Sequence, residues 1–188
     1  MEMSGKTSQR ADAAKNRERL VASARRVFAK QGPDAPLEDV ARAAGVSRTT
    51  LYRHFRTREE LAATVLEENV VSIEKRAAEL SGQWRAIETL FDFVLDQQRD
   101  DGGLIQLFTR SDLAPLESLS RRTTAAFEPL LEAGLRDGTV QPDIEIRDIM
   151  IAFPMAEAAI TDSARIGDRG DDRARAMFRR ALWQEKWK

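Results

Sequence analysis

The side chains best suited to chemistry in this sequence lie close together, between residues 48 and 58, and they suit the recognition of a nucleic acid. Arginine pairs with phosphate groups and guanine edges, threonine donates to phosphate or presents its methyl group to thymine, and tyrosine and histidine donate from a helix end. Positions 48, 49, 52 and 53 share one side of a short helix. The candidate DNA-contacting residues are Arg48, Thr49, Thr50, Tyr52, Arg53, His54 and Arg58.

Each of these side chains also has a structural interpretation. Tyr52 suits packing against a preceding helix, and Arg48 and Arg53 suit a solvated surface. His54 is the only histidine, and a single histidine is more often a packing or surface residue than an acid–base group. Because the chain has no cysteine and no second histidine, thiolate chemistry and paired-histidine metal sites are excluded. We therefore expect no enzymatic activity, no metal and no cofactor.

A helix-turn-helix is the element predicted to hold the candidate residues. Two short helices flank Gly45, and glycine tolerates the left-handed conformation that ends a helix tightly. Ser47 is a good N-cap for the second of these helices, and the small Ala41 allows the two helices to cross closely. In this architecture the second helix enters the major groove of DNA.

Helical spacing of apolar residues recurs along the whole chain, and strand-like alternation is absent. We therefore predict an all-α fold of about nine helices, in which a three-helix helix-turn-helix domain precedes a helical bundle. A flexible polar arm is predicted over residues 1–12, the helix-turn-helix domain over 13–58 and the bundle over 59–188. The predicted helices span residues 15–31, 37–44, 47–55, 59–80, 84–98, 115–136, 145–164 and 171–183, with a short apolar segment at 104–108.

Charge is distributed unevenly along the chain. Residues 1–58 carry 13 Lys/Arg and 6 Asp/Glu, a net charge of +7, whereas residues 59–188 carry 17 and 25, a net charge of -8. A basic first third suits contact with a polyanion. The first residues lack the apolar segment of a secretory signal, and the longest apolar stretch, 149–160, is too short to span a bilayer. We expect a cytoplasmic protein that does not contact a membrane.

One run of residues follows a fixed pattern: Val40-Ala41-x-x-Ala44-Gly45-Val46-Ser47-x-x-Thr50-Leu51-Tyr52-x-His54-Phe55, then Arg58-Glu59-x-Leu61. With its flanks, from Arg19 to Leu61, it resembles the DNA-binding domain of the TetR/AcrR family of transcriptional regulators. The chain departs from the family pattern at Pro36, where Ser or Thr is usual, and at Arg58, where Lys is common. Arg58 keeps the charge, so the resemblance implies a phosphate contact beside the free N–H groups of a helix start.

The resemblance further implies a homodimer that binds double-stranded DNA at a palindromic operator, with the last two long helices at the interface. It also implies a cavity in the second domain for a small-molecule effector whose binding releases the operator, as in a repressor. Three alternatives stay open: an activator, a regulator that needs its ligand to bind DNA, and a helical interaction protein without DNA binding. Candidates for the ligand-binding wall, with core packing as their alternative, are Phe91, Phe108, Phe127, Met150 and Phe153.

Overall fold

The computed structural model describes residues 3–101, 104–108, 114–161 and 170–184, and this part of the chain is built from helices. It contains no strand beyond one isolated β-bridge between Val140 and Trp183. None of its helices is long and apolar enough to cross a membrane. The elements are α1 (Met3–Gln31), α2 (Leu37–Ala44), α3 (Arg48–His54), α4 (Arg58–Leu80), α5 (Ala86–Asp101), a 3-10 helix (Leu104–Phe108), α6 (Ala114–Arg136), α7 (Ile146–Thr161) and α8 (Gly170–Leu182).

The all-helical prediction is confirmed, and the number of helices differs slightly from the predicted nine. The described residues contain eight α-helices, because the short apolar segment at 104–108 forms a 3-10 helix. A segment of five residues closes few i to i+4 hydrogen bonds, so the tighter 3-10 turn is a common alternative.

The start of α1 also differs from the prediction. The helix was predicted from Lys15, whereas α1 begins at Met3, so residues 3–12 are helical although a flexible arm was predicted there. No proline interrupts this stretch. Lys6, Gln9, Arg10 and Ala11 have good intrinsic helix propensity, and extending a helix that has already formed costs less than starting one.

The chain divides into two compact units. The first takes in the described residues up to Glu67, together with 100–101 and 104–108. A functional boundary was predicted at residue 58, but the beginning of α4 belongs to this unit, and Leu61 and Val65 are fully buried in it. Asp101, at the end of α5, is buried and lies 2.9 Å from the guanidinium of Arg25 on α1. Apolar side chains at helical spacing complete the core: Leu20, Ala24, Phe28, Val40, Leu51 and Phe55.

The second unit takes in residues 68–99 and the described residues from 114 onward, and its core is aromatic at the centre. The ring of Phe91 stacks on Phe153 with centroids 5.1 Å apart. Phe178 and Trp183 meet the same ring edge-on at 5.8 and 5.6 Å. Offset-stacked and edge-on arrangements are the favourable geometries for such rings. Phe91 therefore joins α5, α7 and α8 in one packed cluster.

Ion pairs line the outside of the contact between α5 and α8. Arg175 lies 2.9 Å from a carboxylate oxygen of Asp96, and Arg179 lies 3.4 Å from Asp92. Partial burial raises the pKa of Asp92 above its usual value, although Arg179 and Arg175 act in the opposite direction. Each pair has at least one partner with more than half of its side chain exposed, and pairs open to solvent in this way typically add below about 1 kcal/mol. The aromatic packing beneath them therefore holds α8 in place.

Candidate nucleic-acid interface

Helix α2 is the platform on which the turn and α3 are built. It packs against α1, and its apolar residues recur at the i, i+3, i+4 and i+7 positions of a single face. That face is buried and comprises Leu37, Val40, Ala41 and Ala44. Pro36 is the N-cap and makes no side-chain capping hydrogen bond, because the proline ring carries no polar side-chain atom. Glu38 and Asp39 occupy the first turn, where negative charge stabilises the helix N-terminus.

The turn after α2 depends on Gly45, which adopts the left-handed conformation with φ 64° and ψ 36°. Its N–H donates to the carbonyl of Arg42 at 3.1 Å, and the N–H of Val46 donates to that of Ala41 at 3.0 Å. This pair of bonds is a Schellman motif, which satisfies carbonyls left over at a helix end. A Cβ at residue 45 would lie 2.7 Å from Nη2 of Arg19. The turn thus fixes the direction in which α3 leaves α2.

Replacing Gly45 with alanine is expected to destabilise the first unit by about 1 to 2 kcal/mol, because an L-residue is strained in the left-handed region. Arg19 adds little to this cost, since its flexible side chain can move away. Urea unfolding followed by circular dichroism measures the change. Gly45→Asn is the matched control, since asparagine tolerates this conformation better than alanine. Equal stability of the two variants would show that backbone strain does not govern the turn.

Helix α3 is capped and anchored as the sequence predicts. The hydroxyl of Ser47 accepts from the N–H of Thr50 at 3.1 Å, and the two hydroxyl oxygens lie 2.8 Å apart. Leu51 and Phe55 are buried, and the guanidinium of Arg17 lies 5.4 Å from the centre of the Phe55 ring. The cap and the two apolar anchors hold the helix against α2 and the core of the first unit, so its opposite side faces outward.

That outward side carries four of the seven candidate DNA-contacting residues. Arg48, Thr49, Tyr52 and Arg53 are all exposed, as their spacing predicts. Thr50 and His54 are half-buried, and the hydroxyl of Thr50 is already engaged with Ser47. The exposed row presents two guanidinium groups, a hydroxyl and a phenol on one face of a short rigid helix. These are donors suited to phosphate oxygens and base edges.

Arg48 and Tyr52 contact each other within this row. The guanidinium carbon of Arg48 lies 5.5 Å from the centre of the Tyr52 ring, which is within cation–π distance. Nη2 of Arg48 also lies 3.0 Å from Oε1 of Glu38 on α2. Glu38 is absent from the residues predicted for this site, because a contact between α2 and α3 leaves no local signature in the sequence.

Arg58, the seventh candidate, is set apart from the row. Its Nη1 donates to the backbone carbonyl of Pro33 at 2.6 Å, and Asp34 lies 3.9 Å away. Arg58 therefore ties the start of α4 to the turn between α1 and α2. The phosphate contact that the family resemblance implies for it stays a prediction.

The start of α4 is capped from within the chain. The hydroxyl of Thr57 accepts from the N–H of Glu60 at 3.1 Å, and the carboxylate of Glu60 accepts from the N–H of Arg56 at 2.8 Å. The spacing of Thr57 and Glu60 is that of a capping box, so this cap has a signal in the sequence, although it is not among the predicted features. Two of the N–H groups near the expected phosphate position are therefore occupied.

The candidate ligand-binding residues are distributed over both units. Phe91, Phe127 and Phe153 pack ring against ring in the second unit, where Phe127 and Phe153 lie 5.6 Å apart. Met150 is partly buried against the same cluster. Phe108 is buried in the first unit. In this structure the three rings fill the core, and their role as a ligand wall stays a prediction.

A surface pocket of about 370 Å³ lies between α4 and α6 of the second unit. At one side Arg122 donates to both carboxylate oxygens of Glu74, at 2.7 and 2.6 Å, and this bonding lowers the pKa of Glu74. The sequence does not predict this pocket, because its wall is made mostly of small residues that carry no chemical signal. The lining residues are Glu74, Ala77, Ala78, Ser81, Arg122, Ala125, Ala126, Pro129 and Leu130.

Comparison with known proteins finds similarity to transcriptional regulators in the region of the helix-turn-helix. Residues 20–65 match the family described as bacterial regulatory proteins, tetR family. The HTH-type transcriptional regulator TtgW of Pseudomonas putida is 44% identical over 57 residues, which are 30% of this chain and 42% of TtgW. The aligned stretch thus spans less than half of that relative.

Two solved structures are similar over most of the chain. The TetR transcription regulatory protein from Mycobacterium vanbaalenii is 30% identical, with a TM-score of 0.63, and the match covers 82% of this chain and 98% of that one. SCO0520 from Streptomyces coelicolor, a TetR transcriptional regulator, is 24% identical, with a TM-score of 0.64 over 90% and 99% of the two chains. This second similarity concerns the fold alone.

Proposed function

Because the chain belongs to the TetR family of transcriptional regulators, we propose that it binds a palindromic operator as a homodimer and releases it when a small ligand binds. The observation that carries the DNA-binding part is the exposed row Arg48, Thr49, Tyr52 and Arg53 on a rigidly capped helix. The net charge of +7 over residues 1–58 supports it, because a basic module is attracted to DNA at any sequence.

An exposed apolar face on α7 and α8 supports the homodimer. Ile151 and Met155 lie one turn apart on α7 with 61% and 57% of their surface exposed, and Met177 on α8 is 59% exposed. The opposite sides of both helices are buried in the core through Phe153 and Leu182. Exposed apolar patches of this kind mark interaction sites. A second copy related by a two-fold axis would cover the face and place two copies of α3 in successive major grooves.

The ligand response follows from a shift between two states of the dimer. In one state the two α3 helices fit the operator, and in the other their spacing is wrong. A ligand that binds more tightly to the second state lowers the affinity for the operator, to an extent set by the ratio of its affinities for the two states. The pocket between α4 and α6 supports a ligand site in the second unit, since its volume of about 370 Å³ lies within the range of small-molecule sites. Release on ligand binding makes the protein a repressor.

Selection of bound sequences from a random duplex library tests this function. We expect a palindromic consensus whose half-sites are about one helical turn apart, bound with an affinity that falls steeply as salt rises. Affinity for that consensus is then measured against a panel of metabolites. A consensus without two-fold symmetry would contradict the dimer, and an affinity unchanged by every compound would argue against the ligand response.

Replacing Arg48 or Arg53 with alanine is expected to lower operator affinity about tenfold to a hundredfold, because one good base contact contributes about 1 to 3 kcal/mol of discrimination. Fluorescence anisotropy with labelled operator measures the change. Arg76→Ala is the matched control, since Arg76 lies on α4 in the second unit and pairs with Glu79. If all three variants bind equally well, the exposed row of α3 is not the operator-binding surface.

A further inference from the structure

Glu38 lies outside the row of candidate DNA-contacting residues, yet its carboxylate contacts that row. Oε1 of Glu38 on α2 is 3.0 Å from Nη2 of Arg48 on α3, with 40% and 69% of the two side chains exposed. No helical repeat brings these residues together, since they belong to different helices separated by the Gly45 turn. The contact is therefore a product of the way in which α2 and α3 cross.

The guanidinium of Arg48 is held from two directions. Glu38 binds it from α2, and the Tyr52 ring lies 5.5 Å from its central carbon on α3. An arginine carries five N–H donors in a planar fork, and the pair with Glu38 uses only part of them. Because the carboxylate and the ring lie on defined sides of the guanidinium, they favour one direction for its remaining donors. An arginine without such contacts would lose much of its rotamer freedom on binding DNA, whereas a side chain that is already oriented loses less.

The sign of the charge at Glu38 is unexpected on a surface that meets DNA. A carboxylate beside the phosphate backbone is repelled, so it weakens binding to every DNA sequence alike. Specificity is the difference between the affinities for operator and for other DNA. A side chain that lowers non-specific affinity and also orients a base-reading arginine increases this difference in two ways.

We propose that Glu38 is a specificity-determining residue of the operator-binding surface, acting through Arg48. It holds the Arg48 fork, together with Tyr52, in the direction from which Arg48 reads a base edge instead of a nearby phosphate. This inference rests on the proposed operator binding and adds to it a role for a residue that itself contacts no base. Glu38 is thus a positioning residue, and Arg48 is the residue that it positions.

Asp39 provides a matched control. It is the neighbour of Glu38 in the first turn of α2, and its carboxylate pairs with Arg42 of the same helix at 2.9 Å. Glu38→Ala and Asp39→Ala therefore remove the same charge from the same turn, and only Glu38→Ala releases a residue of α3. Both side chains are half-buried, with 40% of Glu38 and 25% of Asp39 exposed, and neither belongs to the apolar core, so circular dichroism and thermal unfolding are expected to show a folded first unit in each variant.

The experiment measures the affinity of the full-length variants for the selected operator and for a random duplex of equal length. We expect both variants to bind the random duplex several-fold more tightly than the wild type, because each loses one repulsive charge. Only Glu38→Ala is expected to lose specificity, with a ratio of operator to random affinity about tenfold lower than that of Asp39→Ala. Library selection with Glu38→Ala should relax the consensus at the base pairs that also relax with Arg48→Ala.

A second comparison separates positioning from general electrostatics. It uses two double variants, Arg48→Ala with Glu38→Ala and Arg48→Ala with Asp39→Ala. We expect the ratio of operator affinity to random-duplex affinity to be no lower in the first double variant than in the second. Equal ratios for the two single variants, or a specific effect of Glu38→Ala that persists without Arg48, would overturn the inference. These results differ from failure of the proposed function itself, in which the wild-type protein would select no consensus at all.

Discussion

Replacing Ile151 with glutamate is expected to convert the protein from a dimer into a monomer and to lower its operator affinity at least about a hundredfold. Ile151 is the most exposed of the large apolar side chains on α7, at 61%. In the proposed dimer it would be covered by the second copy, where an unpaired carboxylate is costly to bury. Loss of the dimer removes the second recognition helix, and the gain in affinity from simultaneous binding of two half-sites is lost with it.

Sedimentation velocity and anisotropy with labelled operator together measure this effect. The matched control is Val71→Glu, because Val71 is also an exposed aliphatic residue of the second unit, at 51%, and lies on α4 instead of α7. We expect Val71→Glu to remain dimeric and to bind the operator like the wild type. A dimeric Ile151→Glu variant with unchanged affinity would show that the exposed face of α7 is not the interface.

Replacing Phe91 with alanine is expected to destabilise the second unit by about 3 to 5 kcal/mol, the usual cost of removing a phenylalanine from a well-packed core. Phe91 is 1% exposed, and its ring touches those of Phe153, Phe178 and Trp183. Its removal leaves a cavity that rings on separate helices cannot close by small movements. This amount is a large share of the total stability of a typical domain.

The same variant tests the two interpretations of Phe91 that the sequence left open. A residue that lines a ligand cavity has packed neighbours on one side only, so its truncation would cost clearly less than that of a fully packed core residue. Urea unfolding of Phe91→Ala, compared with Phe93→Ala on the same helix, measures the difference, since Phe93 is only partly buried against the cluster. A loss no larger than that of Phe93→Ala would contradict the core role and favour the ligand wall.

The sequence by itself determined the local architecture of the interface. The bounds of α2 were predicted correctly, and those of α3 to within one residue at each end, because they depend on apolar spacing and on two neighbouring signals. Gly45 ends one helix and Ser47 begins the next. The exposed side of α3 followed from the positions of Leu51 and Phe55, since a helix that buries one side must expose the other.

Only the tertiary structure decided which distant side chains meet. The contacts of Arg48 with Glu38 and of Arg58 with the Pro33 carbonyl join residues of different elements. Neither contact has a fixed spacing along the chain that periodicity could reveal. The packing of Phe91 among rings from α7 and α8 is of the same kind, and composition favours the core for such a residue without excluding a cavity wall.

The last two helices, α7 and α8, depend both on the local sequence and on long-range packing. Their apolar composition predicted burial, but the sequence did not say which side packs in the core and which remains uncovered. The structure places Phe178 and Leu182 towards the core and leaves Met177 exposed on α8. Local propensity and spacing determine that a helix forms and that it has an apolar face. The choice of neighbour for each face depends on long-range packing, which is a property of the folded chain and of no single segment.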